Sequence, residues 1–250
     1  MSLTVLTAAF YKDREKIQYL ERSCEQSGLT LKVYGLGVEY KGYVDAKITE
    51  LMRALVGVKT EHVLYCDGAD SIVLAEEDEI IQAYEDIREG KDLVFGADEK
   101  CFPYEGLAHV FENRAGNKKH LVNKWKRKDR HRIYMNAGVF MGKTAYVKQC
   151  LNKLYTLYQS SRQNVAHPED DQGWWCLGLK KGDVDFAIDY QAELAMMTKY
   201  TPDSWYAVSP GRCRLTPNGK QPCVMHFAGV NDTNKRMPDF YRRLFPDGDK

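Results

Sequence analysis

Four residues at the end of an apolar run, Asp67-Gly68-Ala69-Asp70, place two carboxylates three positions apart in a tight loop. A second apolar run, starting at Cys223, ends in His226-Phe227-Ala228-Gly229 and brings an imidazole to the end of another strand. Carboxylates and imidazole together suit a divalent cation such as manganese, with magnesium as the substitute. Each segment alone also has a simpler reading. Acids in such a loop bond nearby backbone as an Asx-type turn, and a histidine at a strand end packs in the core. Asp170 and Asp171 open a helix, where acids complement the dipole and cap free amides. Alternatively, one of them stands beside a reacting carbon as base, nucleophile or charge stabiliser. Trp174 and Trp175 follow as core, or as faces for sugars and bases. Asn136-Ala137-Gly138 lies inside an apolar run, where glycine marks a bulge or a close backbone approach. The Asn136 amide suits sugar hydroxyls, and Lys47 either meets a phosphate or is solvated.

The elements that must position these groups follow from periodicity. Residues 3–10 read as a strand, and Asp13 caps a helix carrying Ile17, Leu20 and Cys24 on one face until Gly28 stops it. Residues 29–36 form the next strand. Gly35, Gly37 and Gly42 mark a loop with unusual backbone angles. A helix over 44–56 presents Ile48, Leu51, Met52 and Leu55 to a core. The strand with the acidic loop comes next, then a helix over 78–89 and a strand over 93–96. Strand and helix alternate through the first hundred residues, the signature of an α/β sheet with flanking helices. Ligands in such sheets sit at the carboxyl ends of strands, where the acidic loop lies. Residues 100–132 read as irregular. A strand over 133–142, helices over 143–160 and 169–182, and short strands near 185–188, 205–208 and 223–227 complete the pattern. The tail from Gly229 is basic, polar and aromatic.

A length of 250 residues supports one large domain, and the composition is that of a globular protein. A net charge of +1 gives no global field for nucleic acid or membrane. The local basic stretch at 118–132 is a solvated loop or a flap for an anionic substrate. Seven cysteines with no CxxC pair read as reduced, buried thiols. With no basic, apolar leader and no membrane-length segment, a cytoplasmic location is expected. A metal at a strand end, with no phosphate-cradling P-loop in the chain, points to a nucleotide-sugar enzyme.

In their order along the chain these motifs resemble the glycosyltransferase domain of the procollagen lysyl hydroxylases. Val5-Leu6-Thr7 resembles its opening strand. Residues 33–42 are similar to its Gly-Leu-Gly-x-Glu-Trp-x-Gly segment, with Tyr40 in place of the tryptophan, and Lys47 matches a lysine on the next helix. Asp67-Gly68-Ala69-Asp70 resembles its Asp-Ser-Tyr-Asp metal motif. Cys101-Phe102-Pro103 resembles Cys-Trp-Pro near the sugar, and the strand from Asn136 to Gly142 its Asn-Ser-Gly-Gly-Phe-Ile-Gly. Asp170-Asp171-Gln172 matches Asp-Asp-Gln, and His226 to Gly229 matches His-x-x-Gly.

The resemblance implies a GT-A type, Rossmann-like nucleotide-sugar fold: a central, mostly parallel sheet with flanking helices. It implies one domain over 1–250, with a nucleotide-binding half at 1–97, a donor-sugar and acceptor half at 98–228 and a tail at 229–250. Asp67, Asp70 and His226 would hold Mn2+ or Mg2+. Thr7 and Tyr40 would hold the uridine, and Lys47, Asp67 and the Gly229 amide would attend the nucleotide. Asn136, Asp170 and Asp171 would serve transfer of a hexose from a UDP-sugar to a hydroxyl on a glycan, a protein or a small molecule. A basic loop and a tail closing over the donor belong to the same expectation. A sugar nucleotidyltransferase is disfavoured, because that class shows a glycine-rich basic loop after its first strand and this chain continues into Ala8-Ala9-Phe10-Tyr11. A catalytically silent module that holds a nucleotide sugar or a glycan is the other alternative.

Overall fold

Six consecutive buried residues form β1 (Leu3–Ala8), which pairs in parallel with β2 (Leu31–Tyr34) and β3 (His62–Cys66). The computed structural model describes residues 2–40, 42, 47–118, 132–229 and 232–246. The remaining strands are β4 (Ser71–Val73), β5 (Leu93–Asp98), β6 (Tyr134–Lys143), β7 (Ala187–Asp189), β8 (Ala195–Met197), β9 (Tyr206–Ser209), β10 (Arg212–Leu215) and β11 (Val224–His226). Among the described residues nine strands join in one mixed, mostly parallel sheet of order β2-β1-β3-β6-β5-β8-β11-β4, with β7 beside β5 and β9 and β10 as a separate hairpin. Antiparallel pairing enters at β6, which lies between β3 and β5, and at the β11–β4 edge.

The acidic loop sets the shape of this sheet. It joins β3 to β4 through residues 67–70, yet β4 lies five strands away along the hydrogen-bonded order. A flat sheet would separate them by about 24 Å at about 4.8 Å per strand, whereas five Cα steps reach about 18 Å at most. The sheet therefore curls, and the loop closes the gap between its two ends.

Helices cover both faces: α1 (Gln18–Gln26), α2 (Thr49–Val56), α3 (Glu77–Ile87), α4 (Ala108–Ala115), α5 (Thr144–Ser161), α6 (Asp171–Lys181) and α7 (Met237–Leu244). Asp13 caps the turn leading into α1, accepting from the Glu15 amide at 2.8 Å. Gly182 ends α6 in the left-handed conformation at φ 77°. The larger core joins β6 to α2, α5 and α6 and contains Trp174 and Trp175. Both indoles are buried, and that of Trp175 meets the Phe95 ring edge-on with centroids 5.0 Å apart, so these rings brace α6 rather than face a ligand.

Three expectations need correction. Residues 100–132 read as irregular but include α4, whose apolar spacing is interrupted by His109, Glu112 and Arg114. β8 and β10 have no counterpart in the sequence reading, since segments of three and four residues carry little periodic signal. The tail, expected as basic, polar and aromatic with no element assigned, carries a helix. Met237, Phe240, Tyr241 and Leu244 recur at helical spacing and are buried against β9, β10 and Phe227. The helix expected over 44–56 begins within residues that lie outside those described, as does most of the basic stretch at 118–132. All seven cysteines are free and buried. No described helix is long and apolar enough to cross a membrane.

A buried carboxylate holds the entry to β8. Asp189 accepts from the amides of Glu193 at 3.0 Å, Leu194 at 2.7 Å and Ala195 at 2.9 Å. Burial pushes its pKa up to about 6 in spite of those donors. Asp189→Ala strands three amides and is expected to cost about 3 kcal/mol, measurable as a lower urea midpoint at unchanged m-value.

Candidate metal and nucleotide site

Strand pairing brings the distant motifs together. β11 runs antiparallel to β4 with His226 opposite Ser71, so the imidazole stands beside Asp70. The Phe227 amide bonds the Asp70 carbonyl at 2.7 Å, and the Asp67 amide bonds the Gly138 carbonyl at 2.7 Å. These backbone bonds fix both ends of the acidic loop. Ligand atoms of Asp67, Asp70 and His226 lie within 4.8 Å of one another. His226 Nε2 is 3.3 Å from Asp70 Oδ1 and 4.0 Å from Asp67 Oδ2. Two adjacent ligands at about 2.1 Å from one octahedral ion lie about 3 Å apart, so the spacing fits a cation.

The strongest sign is polar. Asp70 Oδ1 and His226 Nε2 are both buried, and neither has a hydrogen-bond partner despite their closeness. Orphaned buried groups carry a large desolvation penalty, which a shared cation removes. Burial lowers the pKa of His226, but the carboxylates of Asp70 and Asp67 outweigh it and leave the imidazole above its ordinary value. Its Nδ1 lies 2.9 Å from Met197 Sδ. Glycine at 138 makes room for the ring, because a Cβ there would sit 2.2 Å from His226 Cε1. Gly68 also acts through space. It is absent from the positive-φ glycines, and its Cβ would meet Thr7 Oγ1 at 2.6 Å and Ile17 Cγ2 at 2.7 Å.

Lys47 connects the metal side to α6. Its Nζ is 2.7 Å from Asp67 Oδ1 and 3.3 Å from Asp171 Oδ2. Burial pulls the ammonium down, but the two carboxylates more than compensate and hold it protonated. Burial pushes Asp171 up to about 6, with Lys47 opposing and Asp67 reinforcing the rise. Asp170 is occupied differently. Its side chain caps α6 through the Gly173 amide at 2.8 Å, and burial raises its pKa. Gln172 ties α6 to both neighbouring motifs: its Oε1 accepts from the Ala137 amide at 2.9 Å, and its Nε2 donates to the Phe102 carbonyl at 2.8 Å. Asn136 accepts from the Gly138 amide at 2.8 Å and donates to Asp98 Oδ2 at 3.2 Å.

A pocket of about 420 Å3 opens beside the acidic loop, lined by Phe10, Tyr11, Tyr40, Lys47 and residues 67–70 among others. Tyr40 is 46% exposed at this pocket, with its ring centroid 6.0 Å from that of Phe10. Thr7 does not line this pocket. It is buried beneath Gly68, and its Oγ1 has no hydrogen-bond partner. Gly229, at φ 107°, lines a second cleft together with Ala69, Asp70 and Thr233.

The sequence reading passed over three residues here. Tyr65 donates to Asp67 Oδ1 at 2.7 Å. Met197 faces His226, and Asp98 orients Asn136. Only Asp98 carried a signal, since it ends an apolar strand as Asp67 does.

The family model described as the PLOD GT domain matches residues 1–175. His226 and Gly229 lie beyond that match, so their place beside the acidic loop comes from the fold. No curated protein matches the sequence. Among solved structures, a glycosyltransferase involved in the glycosylation of the major capsid of PBCV-1 superposes with a TM-score of 0.57 at 12% identity, covering 95% of this chain and 98% of its own. The apo-form glycosyltransferase GlyE of Streptococcus pneumoniae TIGR4 aligns at 15% identity over 91% of this chain and 55% of its own, with a TM-score of 0.48. The first of these shares the fold, a GT-A-like mixed sheet with flanking helices.

Proposed function

The chain belongs to the PLOD GT domain family, and on that premise we propose that it is a metal-dependent hexosyltransferase using a UDP-sugar donor and a hydroxyl acceptor. The observation that carries this reading is the orphaned pair Asp70 Oδ1 and His226 Nε2, facing Asp67 at the mouth of a nucleotide-sized pocket. A divalent ion bound there supplies positive charge to the leaving diphosphate. Asp67, Asp70 and His226 would hold it. Lys47, charged and anchored by two carboxylates, would donate to the same diphosphate, as would the Gly229 amide. Tyr40 would cover the uridine, and Thr7 would support the loop from below. Asn136, held by Asp98, would grip the donor sugar. Asp171, joined to Asp67 through Lys47, would be the carboxylate that serves the reacting centre, while Asp170 caps the helix that carries it.

The experiment is thermal denaturation with UDP, other nucleoside diphosphates and UDP-sugars, each with and without manganese. A manganese-dependent rise with UDP, absent in Asp67→Ala, is the expected result. Equal indifference to every uridine nucleotide overturns the reading.

A pH profile tests Asp171. With its pKa near 6, the ionised carboxylate forms above that value, so kcat/KM is expected to rise with pH through about 6. Lys47→Gln removes the cation that opposes the rise, so the acid limb moves upward and the rate falls by about a hundredfold. Stability runs the other way. The folded chain keeps this proton up to about pH 6, whereas a free carboxyl releases it near 3.8. The Asp171 contribution to stability therefore declines between those values as pH rises.

A further inference from the structure

We propose that Tyr65 is a positioning residue that limits Asp67 to one bond with the cation and so makes the site selective for manganese or magnesium over calcium. The inference rests on the metal site of the transferase reading above. Asp67 directly follows β3, and its side chain points the same way as that of Tyr65 two positions earlier. The Tyr65 hydroxyl donates to Asp67 Oδ1 at 2.7 Å, and Lys47 Nζ lies 2.7 Å from the same oxygen. Two short bonds, one from a phenol and one from an ammonium, hold Oδ1 and set the plane of the carboxylate. Oδ2 is the oxygen left toward His226, 4.0 Å from Nε2. The phenol is itself held in place, at 2% exposure. Its ring stacks on that of Phe140, directly opposite on β6, with centroids 4.9 Å apart and planes 19° apart. Lys47 Nζ lies 5.6 Å from the ring centroid, so one side chain carries the first donor to Oδ1 and braces the second. A phenylalanine would fill the same stack. What the hydroxyl adds is a bond to a metal ligand.

The consequence is a limited set of donors. Asp67, Asp70 and His226 each offer one atom, with Asp70 Oδ1 and His226 Nε2 only 3.3 Å apart. Manganese and magnesium favour an octahedral shell, which one atom from each residue begins and water or phosphate oxygens complete. Calcium takes about six to eight oxygen ligands at about 2.3–2.6 Å and gains from carboxylates that bind through both oxygens. To bind that way, Asp67 must free Oδ1 from a donor. A buried donor stripped of its acceptor carries a desolvation penalty, and the Tyr65 hydroxyl is such a donor. The imidazole also suits manganese better than calcium. That part of the preference does not depend on Tyr65 and sets the level left when its hydroxyl is removed.

The test titrates manganese into the protein, reads the free ion by electron paramagnetic resonance, and then displaces bound manganese with calcium. The unaltered protein is expected to prefer manganese. Tyr65→Phe keeps the ring and its stack on Phe140. Its manganese affinity is expected to fall about tenfold while its calcium affinity holds or rises, so the preference shrinks by at least that factor. Tyr146→Phe is the comparison, because it also loses a phenol hydroxyl, one that donates to the Asp185 carbonyl at 3.0 Å. It is expected to lower the urea midpoint and leave both affinities unchanged. Unchanged manganese affinity in Tyr65→Phe, an equal loss for both ions, or an equal shift of the preference in Tyr146→Phe overturns the proposal. So does an unaltered protein that binds calcium as tightly as manganese. An unaltered protein that binds neither ion removes the metal site and the transferase reading with it, whereas failure in Tyr65→Phe alone leaves that reading standing.

Discussion

Asp70→Asn is expected to lower metal-dependent transfer by about a thousandfold, the rate equivalent of several kcal/mol of lost charge stabilisation. The substitution keeps the side-chain volume and spares the backbone bond between the Phe227 amide and the Asp70 carbonyl. It removes only the charge on Oδ1, which stands buried without a hydrogen-bond partner 3.3 Å from His226 Nε2. The fold therefore survives, and without metal the variant melts at or slightly above the temperature of the unaltered chain. The difference emerges with manganese. The unaltered protein gains about 2.7 kcal/mol at a metal concentration one hundred times Kd, and the variant gains little. Paired melting curves and turnover assays with and without manganese check this. Equal metal-dependent shifts in the two proteins would remove Asp70 from the ligand set.

Gly138→Ala is the second large effect, and it acts by volume rather than charge. The added methyl would lie 2.2 Å from His226 Cε1, 2.6 Å from its Nε2 and 3.0 Å from Asn136 Oδ1. The imidazole has nowhere to retreat: it is 2% exposed, with Met197 Sδ 2.9 Å from its far nitrogen. Overpacking costs about 1–3 kcal/mol, and the displaced ring is expected to reduce manganese affinity about 10–100-fold. Gly178→Ala separates the two consequences, because its Cβ meets Leu154 Cδ2 at 2.7 Å in the helical layer. That variant is expected to lose stability and keep its metal affinity. Electron paramagnetic resonance titration of manganese, beside urea unfolding, reads both quantities. Unchanged affinity in Gly138→Ala would sink the idea that this glycine sets the position of His226.

Some of this architecture is written locally. Asp13 and Asp170 precede helices and bond their first amides, because a short acidic side chain is the cheapest acceptor for an unsatisfied helix start. Gly182 ends α6 because the left-handed turn needed there is least strained without a Cβ. Buried runs such as Leu3–Ala8 and Leu93–Asp98 announce strands, and their alternation with helices announces the fold class. The chemistry of the acidic loop and of the His226 segment is legible for the same reason, since it depends on residue type at close spacing.

What joins those segments is not local. Nothing near Ser71 signals that β4 abandons β3 and pairs with β11, five strands along a curled sheet. That pairing, and only that pairing, sets His226 opposite Ser71 and beside Asp70. The amphipathic tail α7 and the short strand β8 were also hidden. The burial of α7 depends on the β9–β10 hairpin, and β8, with only three residues, draws its stability from both neighbours. The sequence by itself determined which side chains can bind a cation and which elements carry them. The tertiary structure decided which of those side chains meet, and that Lys47 stands between Asp67 and Asp171 beside them. Strand partnership is chosen by burial and hydrogen bonding summed over the whole sheet, and no window of sequence contains that sum.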